Sequence, residues 1–319
     1  MVSCRVRQPG VCVPPARDFV QSTTDERHVS QFSADWLALR EPLDAVSRAA
    51  SLEATRKLLA PAQSRNGSLN VIDLGAGTGA NLRYLAPLLG GSQEWLLVER
   101  DPLLLAALRD RMRDWAVLHD FQIIDSGERY AVRGAHFECS VRSVALNLAT
   151  QLDQLPLSED TLVTASALLD LVSERWLQDL AECTARVGAT VWFALTYDGR
   201  IECSPSEAED AEVRELFNSH QLTNKGFGAA LGPRAGPTAE QMFAAKGYRT
   251  WCAPSDWRIR PDQATLQQAL LQGWFDAACE MAAGRTVALR SWLVRRQQHV
   301  DAGRSELLIG HTDMLGDPG

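Results

Sequence analysis

Two patterns of apolar residues alternate along the middle of the chain. Between residues 69 and 197, short runs of β-favouring residues are followed by segments whose apolar residues recur every three or four positions. Such alternation predicts a parallel sheet covered by helices on both faces. The predicted strands are Leu69–Leu74, Glu94–Val98, Thr161–Ala165 and Thr190–Thr196, and the predicted helices are Asn81–Leu89, Leu103–Trp115 and Glu174–Arg186.

Two stretches interrupt this rhythm. Between residues 121 and 148, short β-favouring pieces are broken by Ser126-Gly127 and Gly134, which predicts a hairpin inserted before the third core strand. From Asp198 to Pro237, many Gly, Pro, Ser and charged residues surround one helical patch at 210–219. A long connection of this kind is often functional.

The ends of the chain complete the predicted fold. Residues 1–30 carry no periodic pattern and are predicted to be a disordered tail, whereas helical spacing at 32–59 predicts two helices in an N-terminal lid spanning 31–68. The remainder, 69–319, is predicted to be one α/β domain with a Rossmann-like, doubly wound, mainly parallel sheet of seven strands and an antiparallel last strand. Pocket insertions are expected at about 198–237 and 258–303. The C-terminal elements predicted are helices Thr238–Ala245, Leu266–Met281 and Val287–Val300 and strands Tyr248–Ala253 and Glu306–His311.

Charge and composition narrow the possible partners. The formal net charge is -8 at pH 7, so the average surface repels phosphate backbones and anionic membranes. Apolar stretches fall far short of the roughly 20 residues that span a bilayer, and the N-terminus has no apolar signal region. Seven scattered cysteines without C-x-x-C spacing indicate reduced thiols and no metal site. These features predict a cytoplasmic protein with no nucleic-acid or membrane partner.

The segment V-I-D-L-G-A-G-T-G-A at 71–80 carries the candidate chemistry. Gly75, Gly77 and Gly79 permit positive φ and let backbone N–H groups approach a ligand. Glu99 ends the next predicted strand twenty residues after Gly79, which is the spacing of a carboxylate that accepts hydrogen bonds from ribose hydroxyls. Together these features predict an adenosine-containing ligand.

A nicotinamide or flavin cofactor is a genuine competitor. Gly75, Gly77 and Ala80 also satisfy the dinucleotide fingerprint G-x-G-x-x-G/A. Asp73, at the strand end, would repel a pyrophosphate, whereas it suits a ligand with an ammonium and a sulfonium. An NAD(P)-dependent oxidoreductase therefore stays open as an alternative.

The run D-L-G-A-G-T-G followed by L-L-V-E-R-D-P resembles the class I S-adenosylmethionine-dependent methyltransferases, over roughly Val71 to Tyr197. In that family the sheet ends with an antiparallel hairpin, which the last two predicted strands of this chain match. The resemblance implies S-adenosyl-L-methionine as cofactor. It also implies the following contacts: Asp73, Gly75, Gly77 and Gly79 along the methionine part and ribose, Glu99 on the ribose hydroxyls, Asp101 beside the adenine, Asn147 or Asp153 at the adenine amine, and Ser166 and Asp170 near the methyl group.

Several further residues are candidates for the acceptor side. Trp36 and Arg40 fall in the predicted lid, although Trp36 also suits ordinary helix packing. Tyr197 and Arg200 follow the fifth core strand, at the edge where open α/β sheets bind ligands. Within the long connection, His220 and Lys225 flank a glycine turn, and a histidine there is a candidate base. Asp170 is the other candidate base, although an acid at that point also suits a helix cap.

The predicted reaction is in-line transfer of a methyl group to a small molecule by a monomer or homodimer. For such a transfer the enzyme supplies proximity, orientation and a water-poor site, with a base only where the acceptor loses a proton. A non-methylating adenosylmethionine-binding protein is a third alternative. A macromolecular acceptor ranks lower because the charge is acidic and no nucleic-acid module is visible.

Overall fold

A computed structural model describes residues 33–59, 67–127 and 129–319. The tail predicted at 1–30 and the end of the predicted lid lie outside the described residues. The described residues from 33 onward belong to one compact unit.

A single ten-stranded sheet forms the centre of this unit. Its strands run in the order β3-β4-β5-β2-β1-β6-β7-β10-β8, and β9 pairs with β10 beside that path. The strand bounds are β1 Ser68–Leu74, β2 Gly91–Glu99, β3 Gln122–Asp125, β4 Arg129–Arg133, β5 Phe137–Ala145, β6 Thr161–Ser166, β7 Thr190–Ser204, β8 Arg249–Pro254, β9 Trp257–Ile259 and β10 Glu306–Asp317.

Eight helices are described around the sheet. α2 and α3 follow β1 and β2, α4 joins β6 to β7, and the last four lie between β7 and β10. Their bounds are α1 Ala34–Leu59, α2 Ala80–Leu89, α3 Pro102–Leu118, α4 Glu174–Val187, α5 Asp210–Gln221, α6 Ala235–Ala245, α7 Ala264–Met281 and α8 Thr286–Asp301. Among the described residues, no helix is both long and apolar enough to cross a membrane.

Strand directions confirm the predicted Rossmann-like class. β1 pairs in parallel with β2 and β6, β2 with β5, and β6 with β7, whereas β10 is antiparallel to both β7 and β8. The predicted seven strands correspond to β5-β2-β1-β6-β7-β10-β8. The inserted hairpin is present as β3 and β4, which extend the sheet beyond β5 by antiparallel pairing.

Four boundary predictions are wrong. Residues 34–59 form one helix with Pro42 inside it, not two helices. The pieces predicted at 136–141 and 144–148 are one strand, β5. β7 runs on to Ser204 because residues 201–204 pair with β10 at 306–309, and β10 itself continues to Asp317 where it pairs with β8. Pairing with strands far along the chain creates the extensions of β7 and β10, and local composition does not reveal it.

The core fills both faces of the sheet. In β1, Leu69 and Val71 belong to one apolar cluster and Ile72 and Leu74 to the other, as alternation along a strand requires. A third cluster joins α5, α7 and α8 to the second half of β7. With both faces covered, the carboxyl edge of the parallel strands is where a ligand is expected.

Candidate functional site

The glycine loop follows β1 at this carboxyl edge. Gly75, Gly77 and Gly79 all have positive φ, of 66°, 54° and 83°, as their sequence pattern predicts. A Cβ atom at Gly77 would lie 2.9 Å from Leu37 Cδ1 of α1. One at Gly75 would lie 3.3 Å from Leu168 Cδ1, in the segment after β6. The loop is therefore closely covered, and a side chain at Gly77 would require Leu37 to shift.

Glu99 holds the loop to the end of β2. Its Oε2 atom accepts a hydrogen bond from Gly77 N at 2.9 Å, and its Oε1 atom accepts from Arg100 N and Asp101 N at 2.8 and 2.9 Å. Asp101 caps α3 by accepting from Leu103 N at 2.8 Å. Its other oxygen, Oδ2, is buried with no hydrogen-bond partner. A half-buried carboxylate thus stands directly against the glycine loop.

Asp73 lies beneath the loop in a polar network that sequence reasoning missed. Asn81 Nδ2 donates to Asp73 Oδ1 at 2.8 Å, and Arg48 Nη1 donates to Asn81 Oδ1 at 2.8 Å. Burial raises the pKa of Asp73 to about 7, although the Asn81 hydrogen bond and the Arg48 charge oppose that shift. Asp73 Oδ2 is buried and has no hydrogen-bond partner. This oxygen is a free acceptor next to the loop.

Asp170 lies in a single 3₁₀ turn, Leu169–Leu171, after β6. The side chain is buried, its Oδ1 atom has no hydrogen-bond partner, and burial raises its pKa to about 6. The charges of Arg40 and Lys225 act in the opposite direction. Ser166 ends β6, four residues earlier, and is half-buried. Asp170 therefore resembles an acid adjusted to exchange a proton near neutral pH.

Arg40 and Tyr197 belong to a cluster of rings and one guanidinium near Asp170. The Arg40 guanidinium lies 5.0 Å from the ring centroid of Trp257 and donates to Asp44 Oδ2 at 2.9 Å. His311 lies 4.9 Å from Trp257 and 6.1 Å from Tyr197, between ring centroids. Burial lowers the pKa of His311 to about 3, so its ring is neutral at pH 7. Sequence reasoning missed Trp257 because it lies far along the chain, in β9.

His220 and Lys225 contact each other. Lys225 Nζ lies 3.2 Å from His220 Nδ1, and His220 Nε2 lies 3.1 Å from Glu280 Oε2 of α7. Burial lowers the pKa of both residues, and the Lys225 charge lowers that of His220 further. The charge of Lys225 also acts on Asp170. The charge of Lys225 therefore lowers the pKa of both candidate bases, Asp170 and His220.

The remaining residues predicted to contact the acceptor or the adenine are exposed or already have partners within the protein. Arg200 is exposed and forms ion pairs with Asp198 and Asp256, at 2.5 and 2.7 Å, so two carboxylates already occupy its guanidinium. Trp36 packs against the third apolar cluster. Asp153 is exposed in the 3₁₀ turn Leu152–Gln154, and Asn147 Oδ1 accepts from Ala149 N at 3.1 Å. The ligand contacts assigned to these residues stay predictions.

Among the residues that the structure describes, no group of three or more His, Cys, Asp or Glu side chains could hold a metal ion.

The chain matches solved structures at low sequence identity and low TM-score. The cyclopropane synthase MmaA2 from Mycobacterium tuberculosis is 10% identical with a TM-score of 0.44, over 91% of this chain and 96% of its own. Geranyl diphosphate C-methyltransferase from Streptomyces coelicolor A3(2) is 12% identical with a TM-score of 0.39, over 84% and 76%. The YcgJ protein from Bacillus subtilis is 14% identical with a TM-score of 0.43, over 84% and 98%. No family model and no curated protein matches the chain.

Proposed function

We propose that this chain is an S-adenosylmethionine-dependent methyltransferase that acts on a small-molecule acceptor. The observation that carries the proposal is the Glu99 carboxylate on Gly77 N, across a loop of three glycines with positive φ. In a dinucleotide-binding sheet the sixth strand would continue the order in parallel. Here the antiparallel β10 stands between β7 and β8 instead, which favours the methyltransferase over an NAD(P)-dependent oxidoreductase.

The loop region has polar groups that suit this cofactor. Asp73 Oδ2 and Asp101 Oδ2 are buried acceptors without partners, and a ligand with an ammonium group and a nucleoside offers the donors they lack. Gly75, Gly77 and Gly79 would hold the methionine part and ribose against the backbone, with Glu99 on the ribose hydroxyls. When bound, the cofactor supplies a methyl group activated by a positively charged sulfur.

The chain's own residues would orient the acceptor and handle its proton. Asp170 is the stronger candidate base because it is buried at the carboxyl edge with an unpartnered oxygen and a pKa of about 6. His220 is the second candidate, and its pKa lies below the ordinary value. Arg40 and Tyr197 would line the acceptor side, and α1 would help to exclude water.

The charge of the chain supports a small acceptor. A net charge of -8 disfavours nucleic acid and anionic membranes as partners. We also propose that the protein is a cytoplasmic monomer or homodimer. Arg200 and Trp36 are proposed as outer contacts of that acceptor, and Asp153 and Ser166 as outer contacts of the cofactor.

Calorimetry tests the proposal directly. We expect the purified protein to bind S-adenosylhomocysteine with micromolar affinity and to bind neither NAD⁺ nor NADH. Glu99→Ala should weaken the binding of S-adenosylhomocysteine by about 2 kcal/mol, because hydrogen bonds to a charged carboxylate are lost. Glu99→Gln should weaken this binding less. Binding of NADH alone would overturn the methyltransferase proposal, and equal affinities in Glu99→Ala and wild type would overturn the role of Glu99.

A further inference from the structure

Arg48 is a buried cation on the side of α1 that faces the sheet. Only 2% of the residue is exposed, and its guanidinium lies 4.3 Å from the ring centroid of Tyr84 and 5.4 Å from that of Trp192. Burial lowers the pKa of the guanidinium, and the charge of Asp313 opposes that shift. An arginine stays protonated in such surroundings because its ordinary pKa is so high. Arg48 therefore places a positive charge inside the protein, among residues of α2, β7 and β10.

Asn81 of α2 connects this cation to Asp73. Its Oδ1 atom accepts a hydrogen bond from Arg48 Nη1 at 2.8 Å. Its Nδ2 atom donates to Asp73 Oδ1 at 2.8 Å and to Thr164 Oγ1 at 3.1 Å. The opposite orientation of the amide would set its NH₂ group against the guanidinium and its oxygen against the carboxylate. Arg48 therefore determines which end of the Asn81 amide faces Asp73, and that end is a hydrogen-bond donor.

This arrangement favours the ionised form of Asp73 and leaves one of its oxygens for a ligand. Asp73 Oδ1 accepts from Asn81, whereas Asp73 Oδ2 is buried with no hydrogen-bond partner. Burial raises the pKa of Asp73 to about 7, against the Asn81 hydrogen bond and the charge of Arg48, and the charge of Glu99 at the end of β2 raises it further. Asp73 is thus about half ionised at pH 7, so a change in the charge at position 48 changes the charge of Asp73.

We propose that Arg48 is a positioning residue of the cofactor site, which acts through Asn81 to keep the Asp73 carboxylate charged and its Oδ2 atom available to the amino-acid part of the cofactor. The inference rests on the proposed function, because it takes the ammonium group of the cofactor to lie at Asp73. An ionised carboxylate binds an ammonium group through a charge-assisted hydrogen bond, and a protonated one loses that charge. Because Arg48 belongs to α1, the docking of this helix contributes to the charge of the cofactor site.

Two probes isolate the amino-acid part of the cofactor. S-adenosylhomocysteine and 5′-methylthioadenosine share the thioadenosine, but only the first carries an ammonium group and a carboxylate. For the wild-type protein we expect the affinity for S-adenosylhomocysteine to rise between about pH 6 and about pH 8, as Asp73 loses its proton, and the affinity for methylthioadenosine to stay nearly constant. Calorimetry gives the ratio of the two affinities, which cancels groups that act on the shared thioadenosine. A ratio that does not change with pH would overturn the proposal.

Variants of Arg48 separate its charge from its packing. Arg48→Met removes the charge and keeps a long apolar side chain, so it should weaken S-adenosylhomocysteine binding about fivefold at pH 7 but less than about twofold at pH 8.5, and leave methylthioadenosine binding unchanged. Arg48→Lys keeps the charge and should recover more than half of the loss at pH 7. Equal weakening of both probes at every pH would indicate a merely structural role and would overturn the proposal. An Arg48→Lys variant that behaves like Arg48→Met would also overturn it.

Asn81→Leu tests the same connection from its other end, and it does so even if Arg48→Met fails to fold. It leaves Arg48 in place and removes the donor that faces Asp73, so it should weaken S-adenosylhomocysteine binding and not methylthioadenosine binding. Full affinity for S-adenosylhomocysteine in this variant would contradict the role of Asn81. Arg133→Met is the matched control, because this exposed arginine pairs with Glu138 of β5, and its affinities should equal those of wild type. If wild-type protein binds neither probe, the proposed function fails, whereas a pH profile that the Arg48 variants leave unchanged defeats only this inference.

Discussion

Gly77 combines a backbone requirement with a packing requirement. Its φ is 54°, and an added Cβ atom would lie 2.9 Å from Leu37 Cδ1, closer than packed carbon atoms approach. The first requirement follows from the sequence motif, since three alternating glycines after a strand predict such a loop. The second depends on α1, more than thirty residues earlier, and could not be predicted from the motif.

Replacing Gly77 tests both requirements. Gly77→Ala should lower the free energy of unfolding by about 1 to 3 kcal/mol through backbone strain and the clash with Leu37. Adding Leu37→Ala should recover the part due to the clash, so the double variant should be more stable than the sum of the single effects predicts. Urea unfolding measures these differences. Gly273→Ala is the control, because that glycine lies inside α7 with open space around it, and it should gain about 0.5 to 1 kcal/mol.

At the scale of elements, α1 is fastened to α2 by a charged pair. Arg83 Nε and Nη2 donate to Glu41 Oε1 and Oε2 at 2.7 and 2.6 Å, and the Arg83 side chain is only 5% exposed. A second fastening is the Arg48 hydrogen bond to Asn81. Because Leu37 of α1 covers Gly77, the docking of α1 and the shape of the glycine loop are linked.

Removing the carboxylate of Glu41 should loosen α1. Glu41→Ala leaves the buried Arg83 guanidinium without its charged partner, which costs about 2 to 4 kcal/mol. Amide hydrogen exchange should become faster in residues 34–48 than in the strands of the sheet. Asp35→Ala provides the comparison, because Asp35 is fully exposed and lies 3.8 Å from Arg111, and it should leave exchange unchanged. Equal protection of α1 in both variants would contradict this role for Glu41.

Helices and strands could be predicted from the sequence where the pattern that specifies them lies in one continuous stretch. The strand-loop-helix unit at 68–89 is encoded by apolar residues, glycines and a helix in one continuous stretch, so its position was predicted within one residue at each end. The end of β7 could not be predicted in this way. Its last residues have a polar, turn-like composition, and pairing with β10 keeps them in the strand. Contacts such as Arg48 with Asn81 also join distant segments, and only the folded chain brings them together.

For the whole molecule, the burial of Asp170 makes the free energy of unfolding depend on pH. Its folded-state pKa of about 6 is above the ordinary 3.8, so folding favours the protonated form. The stability that comes from this protonated acid is complete below about pH 4 and is lost as the pH rises through 6. A buried carboxylate is costly at neutral pH, and the charges of Arg40 and Lys225 offset only part of that cost. If Asp170 is the base of the proposed reaction, it is retained there at the expense of stability.

Asp170→Asn therefore should stabilise the protein in a pH-dependent way. The neutral amide keeps the shape but removes the charge, so at pH 8 the variant should be more stable than wild type by about 1 to 3 kcal/mol. Near pH 4 the two proteins should be equally stable, because Asp170 is then protonated when folded. Urea unfolding of both proteins from pH 4 to pH 8 gives the difference, which cancels the titration of all other groups. A difference that does not change with pH would mean that Asp170 is ionised in the folded protein throughout this range and is not a base adjusted by burial.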